Sequence, residues 1–395
     1  MKEVPKQELL SRLERFTNKM STVYPNWELC VITGGVNMYY LSGTICDGVM
    51  LIKRDNESTL WVRRSFERAL IESALDDIRP MKSFKEIAGT FHKLPDTVYI
   101  DMANTTLEWF NLFKKYMPFN NVLSLDSVLM STRAVKSSYE IANMNRAGRN
   151  TDSIFRETLP ALIKYGASEE CLGIDLLKVF INRGFHGISR FNMRNVDSLV
   201  GHIAFGENSL YPSAFNGAAG IKGLCAAAPV LGSFGGLIKK GTLIYVDIAP
   251  GIKGYHVDKT VVLSYNKPQP KYVIKAHMHC LELERLAASM LKPGVRPCDI
   301  YDTATAAVND EYKENFMGAK GRTVPFIGHG VGLNVDEMPV IARGFTEPLE
   351  ENMTIAIEPK ISIEGKGMVG SENTYLVTEY GGSSLTGEQR EIEVV

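Results

Sequence analysis

Leu243-Ile244-Tyr245-Val246-Asp247 and, past the turn Ala249-Pro250-Gly251-Ile252-Lys253-Gly254, Tyr255-His256-Val257-Asp258-Lys259-Thr260-Val261-Val262-Leu263 decide how this chain is read. Two apolar runs flank a Pro/Gly turn, and each carries one aspartate. The pattern predicts a hairpin. On paired strands, residues whose positions match the pleat face the same side. Asp247 and Asp258 are candidate partners of that kind. Two carboxylates in apolar strands are costly unless something positive sits between them. Taken singly, either aspartate is equally well explained by capping a turn or meeting a lysine.

Three further segments repeat the theme. In Gly328-His329-Gly330-Val331-Gly332, glycines on both sides let the backbone approach closely and leave the imidazole unobstructed. Ile355-Ala356-Ile357-Glu358-Pro359 and Val369-Gly370-Ser371-Glu372-Asn373-Thr374 each set a glutamate in an apolar or small-residue run, joined by the turn Glu364-Gly365-Lys366-Gly367. Each residue alone fits a structural role. Four carboxylates gathered together would repel by several kcal/mol unless cations neutralise them. Hard oxygen donors with one imidazole suit Mn²⁺, and also Fe²⁺, Co²⁺ or Zn²⁺. The expected centre is two divalent ions on Asp247, Asp258, His329, Glu358 and Glu372.

Outward from these segments, the chain divides. Residues 6–20 read as an amphipathic helix. Strand-like runs follow at Glu28–Ile32, Val49–Ile52, Leu60–Val62 and Val98–Ile100, with a further run at Met38–Leu41 after Gly34-Gly35. Helical patterns at 64–76 and 105–117 make this an α/β domain with a parallel or mixed sheet. The polar stretch Met130–Ser137 breaks the pattern, so the expected domains are 1–133 and 134–395. Ser137-Ser138-Tyr139-Glu140 fits a capping box that opens a helix reaching toward Gly166. Further helices are expected at 169–182, 270–291 and 297–313. Strands are expected at 198–204, 242–248, 254–264, 353–363 and 368–378. This second domain reads as α+β, with helices packed on a curved antiparallel sheet.

Length and composition agree with that division. The 395 residues exceed what one compact core usually serves. The chain is 45% hydrophobic with a formal net charge of −1, and it shows no basic stripe for nucleic acid. It has no apolar run of membrane-spanning length. The charged start Met1-Lys2-Glu3-Val4-Pro5 shows no apolar signal region, so the expected location is the cytoplasm. Cysteines at 30, 46, 171, 225, 280 and 298 form no CxxC pair and read as reduced, mostly buried thiols.

The order Asp, Asp, His within GHGVG, Glu-Pro and a final Glu resembles the pita-bread metallopeptidases, which include methionine aminopeptidase, Xaa-Pro aminopeptidase and prolidase. Asn37-Met38-Tyr39-Tyr40-Leu41-Ser42-Gly43 resembles the creatinase/prolidase amino-terminal domain, and Arg133–Ser137 with Glu140-Ile141 resembles that family's linker and first helix. The resemblance implies a homodimer acting on small peptides. In it, Asp258, His329 and Glu372 hold one ion closely and Asp247 holds the other. Asp258 and Glu372 bridge the two, and a hydroxide between the ions attacks a peptide carbonyl. Glu358 holds one ion and takes the proton of the nucleophilic water.

Several positions depart from the family pattern. Where peptidases place a second histidine seven residues after the metal histidine, this chain has Asp336, in Asp336-Glu337-Met338-Pro339. Asp336 is expected to position the amine or leaving group. No histidine lies between Gly206 and Asp247, and Lys259 stands where an arginine often follows the second aspartate. His202 is the candidate replacement for the missing imidazole, and His256, sharing a strand face with Asp258, is a second. Arg190 and Arg194 are candidates for an acidic substrate group. These departures keep two other readings open. One is a metal-dependent lyase or amidohydrolase on a small non-peptide substrate, like dimethylsulfoniopropionate lyase or creatinase. The other is a non-catalytic binding relative.

Overall fold

The structure is a computed structural model, and it describes every residue except Met1, Asn56, Arg194, Asn195 and Phe234 and the side chain of Asp197. The Arg194 expectation lies outside the described residues. The chain divides into two compact units, Met1–Arg133 and Ala134–Val395.

The first unit is built on a six-stranded mixed sheet of β1 (Leu29–Ile32), β2 (Asp47–Lys53), β3 (Ser58–Arg64), β4 (Ile78–Pro80), β5 (Thr97–Ile100) and β6 (Asn121–Ser124), in the order β4-β3-β2-β1-β5-β6. β1, β2 and β3 pair antiparallel, while β4, β5 and β6 join parallel to their neighbours. Its core packs Val31, Val49 and Ile100 against Phe84 and Phe113. The run at Met38–Leu41 is helical, within Gly35–Ser42. The helix ends at Gly43, whose φ of +77° reverses the chain where a side chain would be strained. The polar stretch at the end of the unit is helical as far as Ala134.

The second unit holds a curved sheet. Its strands are β7 (Gly201–Phe205), β8 (Leu243–Ile248), β9 (Lys259–Ser264), β10 (Phe326–Gly330), β11 (Glu337–Ala342), β12 (Thr354–Ile357) and, after the ribbon β13 (Lys360–Ile363) with β14 (Gly367–Gly370), β15 (Glu372–Thr378). They run antiparallel in the order β11-β10-β12-β15-β9-β8-β7. Ser137 opens the helix Ser138–Ser153, its side chain accepting from the Glu140 N–H while Glu140 reaches back. That capping box satisfies two backbone donors reciprocally. The helices Glu169–Asn182, Lys271–Ser289 and Pro297–Ala306 fall within the expected ranges, and Leu283, Ala287 and Ile300 pack with Ile355 and Tyr375.

Three runs read as single strands are each broken in two. The breaks fall at Val257-Asp258, Glu358-Pro359 and Ser371. Each therefore adjoins a candidate ligand, because the backbone leaves the ladder where a carboxylate turns inward. Cys30 and Cys280 are buried, but Cys171 and Cys225 are exposed, so the thiols are less buried than expected. No helix among the described residues is long and apolar enough to cross a membrane.

Candidate metal centre

Strand register brings the five candidates together. Asp247 on β8 lies opposite Thr260 on β9, and Thr260 lies opposite Glu372 on β15. These pairs share one face of the sheet. β15 pairs with β12, whose end delivers Glu358, and β12 pairs with β10, which carries His329. Asp258, Glu358 and Glu372 are buried, whereas Asp247 and His329 are half-buried.

Ligand atoms of Asp258, His329 and Glu372 all lie within 4.8 Å of one another. His329 Nε2 is 3.4 Å from Glu358 Oε1 and 3.9 Å from Glu372 Oε1. Asp258 Oδ1 is buried with no hydrogen-bond partner. A buried carboxylate oxygen left unpaired is costly, so this atom points to a ligand. Two carboxylates and an imidazole fit one divalent ion.

The remaining carboxylates meet a cation that the sequence reading passed over. Lys360 Nζ donates to Glu358 Oε2 at 2.8 Å, Glu372 Oε2 at 2.9 Å and Asp247 Oδ2 at 3.1 Å. A lysine partner was one simple explanation for a lone aspartate, and Asp247 has one. The signal was local: Glu358 and Lys360 are two apart in an extended segment, a spacing that puts both side chains on one side. The same spacing relates Tyr245 to Asp247, and the Tyr245 hydroxyl donates to Asp247 Oδ2 at 2.9 Å. Thr260 Oγ1 donates to Glu372 Oε2 at 2.9 Å.

The electrostatics follow from burial and these contacts. Burial raises Asp258 well above the carboxylate range, and the charges of Glu372 and Asp247 push the same way. Glu372 is raised by burial and by Glu358 despite the Lys360 ammonium. Burial also acts on Asp247, but Lys360, His202 and the Tyr245 hydrogen bond outweigh it and hold Asp247 below its usual value. For Lys360 burial favours the neutral amine, yet Asp247, Glu358 and Glu372 keep it an ammonium far above the ordinary range. At an effective dielectric near 20, two like charges about 4 Å apart repel by about 4 kcal/mol. Three carboxylates bonded to one ammonium, with Asp258 beside them, leave room for more positive charge.

The structure places the other candidates as follows. His202 lies opposite Asp247 on β7, and its ring stacks on Phe215 at 5.0 Å. Its dense surroundings lower its pKa, Asp247 opposes that and Lys360 adds to it, so the imidazole is neutral at pH 7. Asp336 is half-buried and accepts the Asn192 N–H at 2.6 Å. Burial raises its pKa against the pull of that hydrogen bond and of His329. His256 does not join the cluster. Its ring is buried between backbone groups, with Nδ1 3.1 Å from the Gly332 oxygen and Nε2 accepting the Arg190 N–H at 3.3 Å. Its short strand Tyr255–His256 pairs with Gly251–Ile252 and ends before Asp258, which removes the shared face. Burial lowers its pKa to about 4. Arg190, in turn, is tied to the same loop through its carbonyl, which accepts the Val335 N–H at 2.7 Å.

Comparison with known proteins gives a consistent picture. A family model described as metallopeptidase family M24 matches residues 142–379, and one described as the creatinase/prolidase N-terminal domain matches residues 12–135. A Xaa-Pro dipeptidase of Pyrococcus furiosus is 26% identical over 389 residues, 98% of this chain and 99% of that protein. Among solved structures, the prolidase of Pyrococcus horikoshii superposes with a TM-score of 0.79 at 22% identity, covering 97% of this chain and 99% of that one. A Xaa-Pro dipeptidase of Bacillus anthracis superposes with a TM-score of 0.81 at 20% identity, covering 98% and 100%. At these identities the two structures speak to the fold, a creatinase-type amino-terminal domain followed by a pita-bread domain.

Proposed function

The chain belongs to metallopeptidase family M24, and from that premise we propose that it is a metal-dependent hydrolase of the Xaa-Pro dipeptidase or aminopeptidase type, cleaving small peptides. The observation that carries this reading is the convergence of Asp258, His329 and Glu372 around a buried carboxylate oxygen with no partner. Mn²⁺ is the ion that a set of hard oxygens with one imidazole favours, with Co²⁺, Fe²⁺ and Zn²⁺ as substitutes. When bound, a divalent ion lowers the pKa of water and polarises the scissile carbonyl.

The chain's own residues supply the rest. Glu358, whose Oε1 lies 3.4 Å from His329 Nε2, would be the general base, a buried carboxylate able to take the proton of the attacking water. Neutral His202, facing Asp247, donates a hydrogen bond to the substrate. Asp336 receives the substrate's amine, and its fixed orientation through Asn192 suits that role. A homodimer working in the cytoplasm completes the proposal. The carboxylate at Asp336, where peptidases of this family carry a histidine, favours a small non-peptide amide as the second reading.

A panel of Xaa-Pro dipeptides and longer peptides tests the choice. Cleavage that chelator abolishes and Mn²⁺ restores is the expected result. A metal-loaded protein inert toward every peptide contradicts the peptidase reading and leaves the non-peptide one. Glu358→Gln is expected to lower kcat by roughly 10²–10⁴-fold while the metal content is retained.

A further inference from the structure

The oxygens of the four carboxylates fall into two sets, one bonded to a lysine ammonium and one not. Asp247 Oδ2, Glu358 Oε2 and Glu372 Oε2 all accept from Lys360 Nζ. Those three contacts use every N–H that an ammonium has. The other set is not on the lysine: Glu358 Oε1 and Glu372 Oε1 lie 3.4 and 3.9 Å from His329 Nε2, and Asp258 Oδ1 has no partner. We propose that Lys360 is a built-in replacement for one of the two cations this cluster needs, so that the centre takes a single divalent ion, on Asp258, His329 and Glu372. The proposal rests on the metal-dependent reading above and changes its stoichiometry from the two ions expected from sequence.

The fold is arranged to keep the lysine there. Lys360 is only 2% exposed, and its strand β13 is paired along its length with β14. Gly370 lies opposite it with a φ of +151°. A Cβ there would stand 2.8 Å from Lys360 Cα and 2.9 Å from its Cγ. The same Cβ would stand closer still to the Pro359 oxygen, so glycine at 370 serves the close backbone approach of the ribbon as well as the lysine stem. The Nζ also lies 5.9 Å from the centre of the Tyr245 ring, whose hydroxyl holds Asp247 toward the ammonium. An ammonium is a hydrogen-bond donor with no coordination position, so a substrate meets only one Lewis-acidic partner. Asp247 then acts through Lys360 and His202 as a positioning residue.

Metal counting decides the matter without reference to activity. Purified protein is saturated with Mn²⁺ or Co²⁺, desalted, and its metal measured per chain by elemental analysis. Wild type is expected to carry one ion, Lys360→Ala two, and the variant's Mn²⁺ electron paramagnetic resonance should show the coupling of a close pair that wild type lacks. Asp247→Asn is expected to keep its single ion, and Asp258→Asn to lose it. If Lys360→Ala does not fold, the wild-type and Asp247→Asn counts still decide. Two ions in wild type, or loss of metal in Asp247→Asn, would overturn the role of Lys360 while leaving the metal-dependent reading intact. No bound ion in wild type would contradict both.

Discussion

One pair of strands buries a lysine on each face, and the two lysines behave in opposite ways. On one face, Lys259 of β9 lies opposite Asn373 of β15, and its Nζ donates to Asn373 Oδ1 and the Thr386 carbonyl, both at 2.6 Å. The neighbouring Asn373 and Tyr375 donate to buried Glu284, each at 2.7 Å. On the other face, one residue along, lie Thr260 and Glu372, the ammonium of Lys360 and the metal candidates. Burial lowers the Lys259 pKa to about 8, whereas the carboxylates around Lys360 raise its pKa well above the ordinary value. Partner type makes the difference. Neutral acceptors satisfy hydrogen bonds but do not offset the loss of hydration, while ionised partners do both. The Lys259 face is therefore a structural lock and the Lys360 face an electrostatic site with charge still to be balanced.

The largest effect should come from the open side of the site. Asp258→Asn removes the carboxylate whose oxygen has no other partner, and its metal affinity should fall by more than the roughly 10–100-fold typical of losing an outer-shell contact. Calorimetric titration checks this, and an Asp258→Asn variant with wild-type affinity would erase the distinction between the two faces.

Next comes Lys360→Met. In metal-free protein it leaves Asp247, Glu358 and Glu372 without their cation, a loss on the order of 3–5 kcal/mol of stability. Added Mn²⁺ should restore much of it, as thermal unfolding with and without metal will show. Lys259→Met should cost less, about 1–3 kcal/mol for unpaired but uncharged acceptors, and metal should not rescue it.

The pH dependence separates the lysines by sign. Between about pH 8 and the ordinary lysine value of 10.5, folded Lys259 has lost a proton that the unfolded chain still holds. Stability then rises with pH across that window, by on the order of 3 kcal/mol in total. Lys360 holds its proton more tightly when folded, so its contribution is full below pH 10.5 and is lost as pH climbs through the raised value. Denaturant midpoints of wild type and Lys259→Met from pH 7 to 10.5 should converge as pH falls short of relieving Lys259 and diverge as it does. Parallel curves would mean that Lys259 is not strained by burial.

Much of this was legible in the chain, for identifiable reasons. A carboxylate in an apolar strand stands out because it costs free energy to bury, and a histidine between glycines stands out because its ring is unobstructed, so the four carboxylates and His329 could be picked together, as a set in order, before their proximity was visible. The antiparallel sheet and its helices followed from turn chemistry and the Ser137 capping box. Lys360 was harder to see, because a lysine two residues from Glu358 also reads as a solvated strand end, and the spacing that puts the two on one side does not say which side faces the cluster. His256 erred the other way: two-residue spacing suggested a shared face with Asp258, but the strand ends between them. The Met38–Leu41 run, too apolar for its period to show, became a helix because Gly43 could terminate one.

The smallest predicted effects lie within the site. Thr260→Val removes a donor to Glu372, and Tyr245→Phe removes one to Asp247, each worth about 0.5–1.5 kcal/mol. Thr260→Val should weaken metal binding measurably, because Glu372 is one of the three residues proposed to hold the ion, and Tyr245→Phe should leave it unchanged, because Asp247 is not.

The most direct measurement combines binding and turnover in one titration. Mn²⁺ is added in steps to metal-free wild-type protein while cleavage of a Xaa-Pro dipeptide is followed in the same samples. Activity should rise from zero and level off at one ion per chain. Full activity in the metal-free protein would contradict the account at its centre.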